Sequence, residues 1–211
     1  MEETLENYLL KFVPEKSLLI QEMEKYAHDY SIPIMEPLGL EFILQLLRMK
    51  NPKKILEIGT AIGYSAIRMA QACPTAFITT IERDQVRYEE ALKNIKKAGL
   101  EERIEVVFGD AFDQEEIVSN SELYDVLFID AAKGQYQRFF ETFSKYVQEN
   151  GMILTDNVLF HGYVLDETDV SNRKAKIGKK INRYNEWLTN LSDYQSVIVP
   201  LGDGVSITIK R

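Results

Sequence analysis

The chain has 211 residues, 33 acidic and 25 basic, with a net charge of −8, one cysteine and two histidines. That length suits one domain; a lone cysteine excludes an internal disulfide, fits a reducing cytoplasmic setting, and leaves a Cys/His zinc cluster without ligands. No apolar run reaches the about 18 residues a membrane span needs, the acidic and then amphipathic N-terminus is wrong for a secretory signal, and the net charge argues against sequence-blind nucleic-acid binding.

The first fifty residues read as helices, an N-terminal extension of the single domain. Leu5, Tyr8, Leu9 and Phe12 recur at helical spacing, as do Leu19, Met23 and Tyr26, then Leu40, Ile43, Leu44 and Leu47. Pro33 and Pro37 interrupt the pattern. After Pro52 short apolar runs alternate with longer amphipathic ones. The runs are KILEIG (54–59), FITTIE (77–82), IEVVFGD (104–110), DVLFID (125–130) and MILTDN (152–157). Helical patterns cover 64–72, 84–98, 113–119 and 135–148. Strands that are apolar throughout and joined by helices predict a parallel sheet covered on both faces. A helix over 170–191 follows. YQSVIVP (194–200) and VSITIK (205–210) then flank the turn LGDG, which predicts a hairpin with an antiparallel last strand. The expected fold is α/β, a Rossmann-like doubly wound sheet of seven strands, mostly parallel.

In such sheets ligands sit beyond the carboxyl ends of the strands, near the topological switch point. Those ends carry Glu57–Gly59, Glu82, Asp110, Asp130 and Asp156–Asn157, an acid on each of five consecutive strands. EIGTAIGYS (57–65) reads as strand, tight turn and helix, with Gly59 and Gly63 letting a ligand approach the backbone. The spacing is G-x-x-x-G, not the G-x-G-x-x-G of a nicotinamide site, which weakens a pyrophosphate cradle but leaves a ligand without phosphates unaffected. Glu82 is placed to accept hydrogen bonds from ribose hydroxyls, and Asp110–Ala111 to meet an adenine edge. A nucleoside without pyrophosphate points to S-adenosylmethionine.

Asp130, Asp156 and Asn157 read either as helix and turn caps or as three oxygen ligands for octahedral Mg²⁺. Mn²⁺ is equally compatible. Lys133 reads either as a salt-bridge partner or, its pKa lowered by a nearby cation, as a general base. RKAKIGKKINR (173–183) carries Arg173, Lys174, Lys176, Lys179, Lys180 and Arg183 with no acid, and is either a solvated helix face or a phosphate-contacting patch. Phe160 is either packing or a platform for a stacked base.

EIGTAIGYSA, the acid ending the second strand, GDA, FIDAAKGQY and TDNVLF resemble the landmarks of the cation-dependent O-methyltransferases, the group containing caffeoyl-CoA and catechol O-methyltransferases. The resemblance runs from Pro33 to the C-terminus. It implies Asp130, Asp156 and Asn157 as metal ligands and Lys133 as the catalytic lysine, with Asp130 also at the reacting centre. It implies Glu57, Gly59, Ser65, Glu82 and Ala111 as cofactor contacts, flanked by Asp110 and Asp130, with Met35 of SIPIMEP packing on the methyl donor. PIMEPLGLEFILQLL, YDVLFIDAAKGQYQRFF and TDNVLFHGYV are similar to a bacterial branch that converts tRNA wobble 5-hydroxyuridine to 5-methoxyuridine. Ala132 stands where the plant branch has an extra acid. That branch implies the tRNA anticodon arm as partner, gripped by residues 173–183. A small catechol-like or CoA-linked phenol is the alternative acceptor. The family tends to dimerise, which implies a homodimer, and the first fifty residues are available for that contact.

Overall fold

In the computed structural model, residues 4–165 and 172–211 are described. Three helices open the chain: α1 (Leu5–Leu10), α2 (Leu18–Asp29) and α3 (Pro37–Lys50). The Thr4 and Ser17 hydroxyls cap the first two, accepting from the amides of Asn7 at 3.2 Å and Ile20 at 3.4 Å. Pro37 opens α3, where a missing N–H is harmless, and Asn51 closes it in the left-handed region at φ 51°. α2 buries Ile20, Met23 and Ala27, and α3 buries Leu40, Ile43, Leu44 and Leu47. α1 buries nothing.

Seven strands follow: β1 (Lys54–Ile58), β2 (Phe77–Glu82), β3 (Ile104–Phe108), β4 (Tyr124–Ile129), β5 (Val147–Thr155), β6 (Tyr194–Val199) and β7 (Val205–Lys210). They form one sheet in the order β3-β2-β1-β4-β5-β7-β6. β1 to β5 run parallel, and β7 is antiparallel to both β5 and β6. Side chains alternate across the sheet. Ile55, Val126, Phe128 and Leu154 join α2 and α3 and the helix α4 (Tyr64–Ala72) in one core. Leu56, Ile58, Leu127, Ile129 and Ile153 join a second core with Phe139, Phe140 and Phe143 of α7 (Tyr136–Phe143) and Ile181, Tyr184 and Leu188 of α8 (Arg173–Thr189). Helices α5 (Gln85–Ala98) and α6 (Glu115–Ser119) complete the layers. No described helix is long and apolar enough to cross a membrane.

Two boundaries differ from expectation. The helix expected over 135–148 stops at Phe143, and a single 3₁₀ turn leads into β5 at Val147. The reason is an irregularity: Val147 pairs with Tyr124, but the ladder resumes only at Met152 opposite Val126, and Asn150 between them is left-handed at φ 59°. Such an insertion hides the strand's period-2 signature. The helix expected over 170–191 is Arg173–Thr189, and residues 170 and 171 lie outside the described residues. β1 sits in mid-sheet, with β2 and β3 on one side and β4 and β5 on the other. The switch point therefore falls between the carboxyl ends of β1 and β4.

Candidate active site

The loops leaving these strands are tied to their neighbours by backbone hydrogen bonds. The Asp130 amide donates to Ile58 O at 3.0 Å, and the Asp156 amide to Ile129 O at 3.1 Å. Gly59 has φ 103°, and any Cβ there would collide with the Asp130 carbonyl. Glycine is required because two strand ends touch at the switch point. Gly63, at φ 83°, starts α4.

A cavity of about 280 Å³ opens beyond these ends. Its wall carries Gly59, Glu82, Asp110, Ala111, Asp130, Lys133 and Asn157 from the sequence prediction. Met35, Glu57, Ser65 and Asp156 are buried and do not line it. Glu82 accepts from the amides of Ala61 and Asp84, each at 2.8 Å, so its carboxylate is held across the glycine turn. Asp110 folds back on the Phe112 amide at 3.1 Å and faces Arg83 at 3.6 Å. Glu57 has no exposure; its two oxygens accept from the Ser65 and Thr80 hydroxyls at 2.5 Å each. Burial pushes its pKa up to about 7 against the pull of those two hydrogen bonds.

On the β4–β5 side, Ile129 pairs with Thr155, so Asp130 and Asp156 leave adjacent strands in register. Burial raises both carboxyls above the ordinary aspartate range, and Asp130 raises Asp156 further. Asn157 turns left-handed at φ 56°, and its Oδ1 accepts from the Lys133 ammonium. The Lys133 pKa is lowered by burial and pulled back up by Asp130, Asp156, Asp203 and Glu36. The expected direction is present, but burial causes it. Two carboxylates and an amide oxygen, with an ammonium already seated on the amide, are a donor set that fits a hard divalent cation. Among the described residues no three His, Cys, Asp or Glu side chains gather as a metal cluster. A site built here uses the amide as its third donor.

Beside this pocket runs a groove of about 400 Å³ lined by Lys133, Gln137, Arg138, Lys180 and Arg183 among others. Lys180 reaches over Gly134, the neighbour of Lys133. Among the described residues no acid pairs with Lys179, Lys180 or Arg183. The Phe160 ring lies 5.7 Å from the Lys133 nitrogen. The sequence did not single out several neighbours. Phe139 lines the cavity, stacked on Phe112 at 4.7 Å, and Arg138 covers the far face of that pair at 3.6 Å from the Phe112 centroid. Tyr136 donates to the Asp156 carbonyl at 2.9 Å. Asp203, buried in the β6–β7 turn, acts on Lys133 and Asp156. LGDG was legible only as a turn; nothing in it announced a carboxylate at the site.

The chain belongs to the O-methyltransferase family, whose model matches residues 12–211. A catechol O-methyltransferase of Niastella koreensis is 34% identical over 180 residues, covering 82% of this chain and 78% of the relative. A caffeoyl-CoA O-methyltransferase of Populus kitakamiensis is 32% identical over 183 residues, covering 84% and 77%. Among solved structures, a Staphylococcus aureus protein provisionally assigned as a caffeoyl-CoA O-methyltransferase superposes with a TM-score of 0.91 at 37% identity, over 98% of this chain and 99% of that one. A Bacillus cereus O-methyltransferase in complex with SAH gives 0.86 at 25% identity, over 98% and 97%.

Proposed function

We propose that this chain is a Mg²⁺-dependent O-methyltransferase that uses S-adenosylmethionine and converts 5-hydroxyuridine at the tRNA wobble position to 5-methoxyuridine. The observation that carries the choice of acceptor is the groove lined by Arg138, Lys180 and Arg183 together with Glu141, opening beside Lys133 in a chain of net charge −8; among the described residues Lys180 and Arg183 have no acid partner. An acidic protein gains nothing from such a face unless an anion lies on it. Membership of the O-methyltransferase family and a relative in complex with SAH support the cofactor.

Glu82 would take the ribose hydroxyls of S-adenosylmethionine and Asp110 and Ala111 its adenine, with Gly59 leaving the backbone open to it. The ion held by Asp130, Asp156 and Asn157 would draw two adjacent acceptor oxygens together and acidify the hydroxyl. Lys133, whose pKa burial lowers, is the base that would take the hydroxyl proton. The oxygen lone pair then forms the O–CH₃ bond as the C–S bond breaks, and the sulfonium leaves as a neutral thioether. Holding the reacting atoms in line is the chain's main contribution.

The relatives' names favour a second reading, a small catechol or CoA-linked phenol, since both present the same adjacent oxygens. Nucleoside mass spectrometry of tRNA from a deletion strain separates the two. Loss of 5-methoxyuridine with build-up of 5-hydroxyuridine is expected, and unchanged 5-methoxyuridine removes the tRNA acceptor. The working form is a cytoplasmic homodimer in this reading.

A further inference from the structure

The loop that carries Asn157 is bent against its own preferences. Asn157, Phe160 and His161 all have left-handed backbones, at φ 56°, 47° and 51°. Phenylalanine and histidine enter that region at a free-energy cost, so the surroundings must hold them there. The holding group is the turn between β6 and β7. Gly204 O accepts from Val158 N at 3.0 Å, and Asp203 O accepts from Leu159 N at 2.9 Å. Asp203 Oδ1 accepts from the His161 amide and lies 3.5 Å from His161 Nδ1. Gly204, at φ 86°, leaves room for Leu159 where any Cβ would collide. From the other side Asn185 donates to Val158 O at 2.8 Å. Asp203 is 6% exposed. The segment so locked carries Asn157, whose Oδ1 receives Lys133, and Phe160, whose ring lies beside the same ammonium.

We propose that Asp203 is a positioning residue: its carboxylate oxygen, by holding the His161 amide, fixes the 157–161 loop so that Asn157 and Phe160 frame the acceptor. This rests on the methyl-transfer reading above for its kinetic consequence, but the clamp itself does not. What matters is an oxygen in one place, not a negative charge near Lys133.

Two conservative variants separate these. Asp203→Asn keeps the oxygen and drops the charge; Asp203→Glu keeps the charge and moves the oxygen by a methylene. Exchange of the His161 amide, followed by NMR, is expected to stay within about threefold of wild type in the Asn variant and to speed up at least about tenfold in the Glu variant. With 5-hydroxyuridine as acceptor, kcat/KM is expected to fall about tenfold in the Glu variant and by less in the Asn variant, which keeps the oxygen but drops a charge that acts on Lys133. SAH affinity by calorimetry is expected to hold within about twofold in both, because Asp203 lies outside the cofactor cavity. Asp203→Ala, which removes the acceptor without added bulk, replaces the Glu variant if that one does not fold. Fast exchange in the Asn variant, slow exchange in the Glu variant, or a parallel loss of SAH binding overturns the proposal. If the wild type methylates neither 5-hydroxyuridine nor catechol, the functional reading fails while the exchange rates still decide the clamp.

Discussion

Glu57 shows how one buried carboxyl couples the cofactor site to stability. Its pKa near 7 in the folded chain stands above the ordinary glutamate value of 4.5, so folding takes up a proton between those limits. The favourable protonated state is fully present below pH 4.5, and stability is lost as pH rises through 7. The loss is on the order of 3 kcal/mol for a fully buried group. Glu57→Gln removes that titration while leaving an oxygen and an amide to meet the Ser65 and Thr80 hydroxyls. Urea unfolding across this pH range should therefore show the wild type losing stability relative to the variant; parallel curves would show that Glu57 does not titrate there. Asp156 gives the complementary prediction for chemistry. It does not line the cofactor cavity, so Asp156→Ala should leave SAH binding measurable by calorimetry. If Asp130 and Asp156 hold the divalent ion as proposed, turnover should fall on the order of 10³-fold, because one of its two carboxylates would be gone. Turnover within a few-fold of wild type would remove the metal from the account. Both residues were legible in the sequence, since each sits at the end of an apolar run. Thr80 and Asp203 were not: Thr80 reads as one more strand residue, and Asp203 reaches the site only because β7 pairs with β5 across the sheet.

At the scale of elements, the parallel strands were legible because burial on both faces leaves them largely apolar, and their tips because an acid stands at or within two residues of each end. The early start of β5 was hidden by its irregular pairing, and the packing of the 160–165 segment on α8 by a contact no local pattern announces: a Cβ on Gly178 would collide with Tyr163. α8 is also where acceptor choice is tested. Its buried face carries Ala175, Gly178, Ile181, Tyr184, Asn185 and Leu188, so the exposed Lys179, Lys180 and Arg183 can be changed without touching the core. Reversing Lys180 and Arg183 to Glu should raise KM for a 5-hydroxyuridine anticodon stem-loop at least about tenfold and flatten its dependence on salt. Methylation of free 5-hydroxyuridine should stay within about twofold, since in the tRNA reading these residues would meet the backbone and not the base. An unmoved stem-loop KM would return α8 to a solvated face.

The whole molecule leaves one end uncovered. α1 has six residues and buries none of them, and a helix that short is marginal in water by itself. Leu5 is 73% exposed, Phe12 66% and Leu18 71%, an apolar face on a chain whose surface is otherwise rich in acids. Isolated exposed apolar residues are common, but Leu5 and Tyr8 on α1, Phe12 in the turn after it and Leu18 at the start of α2 are grouped at one end of the chain, where a partner surface would cover them. The homodimer proposed above would supply it, because a two-fold axis lets one such face cover its own copy. Sedimentation at micromolar concentration should therefore give twice the chain mass. Phe12→Asp combined with Leu18→Asp should raise the dimer Kd roughly thirtyfold, about 2 kcal/mol. The cofactor cavity is lined only from Pro33 onward, so SAH should bind the dissociated variant as it binds the wild type. A wild-type mass of one chain, or a variant that still sediments as the dimer, places the contact elsewhere. A variant that loses SAH affinity on dissociation would mean instead that the dimer contact also supports the Pro33 side of the cleft.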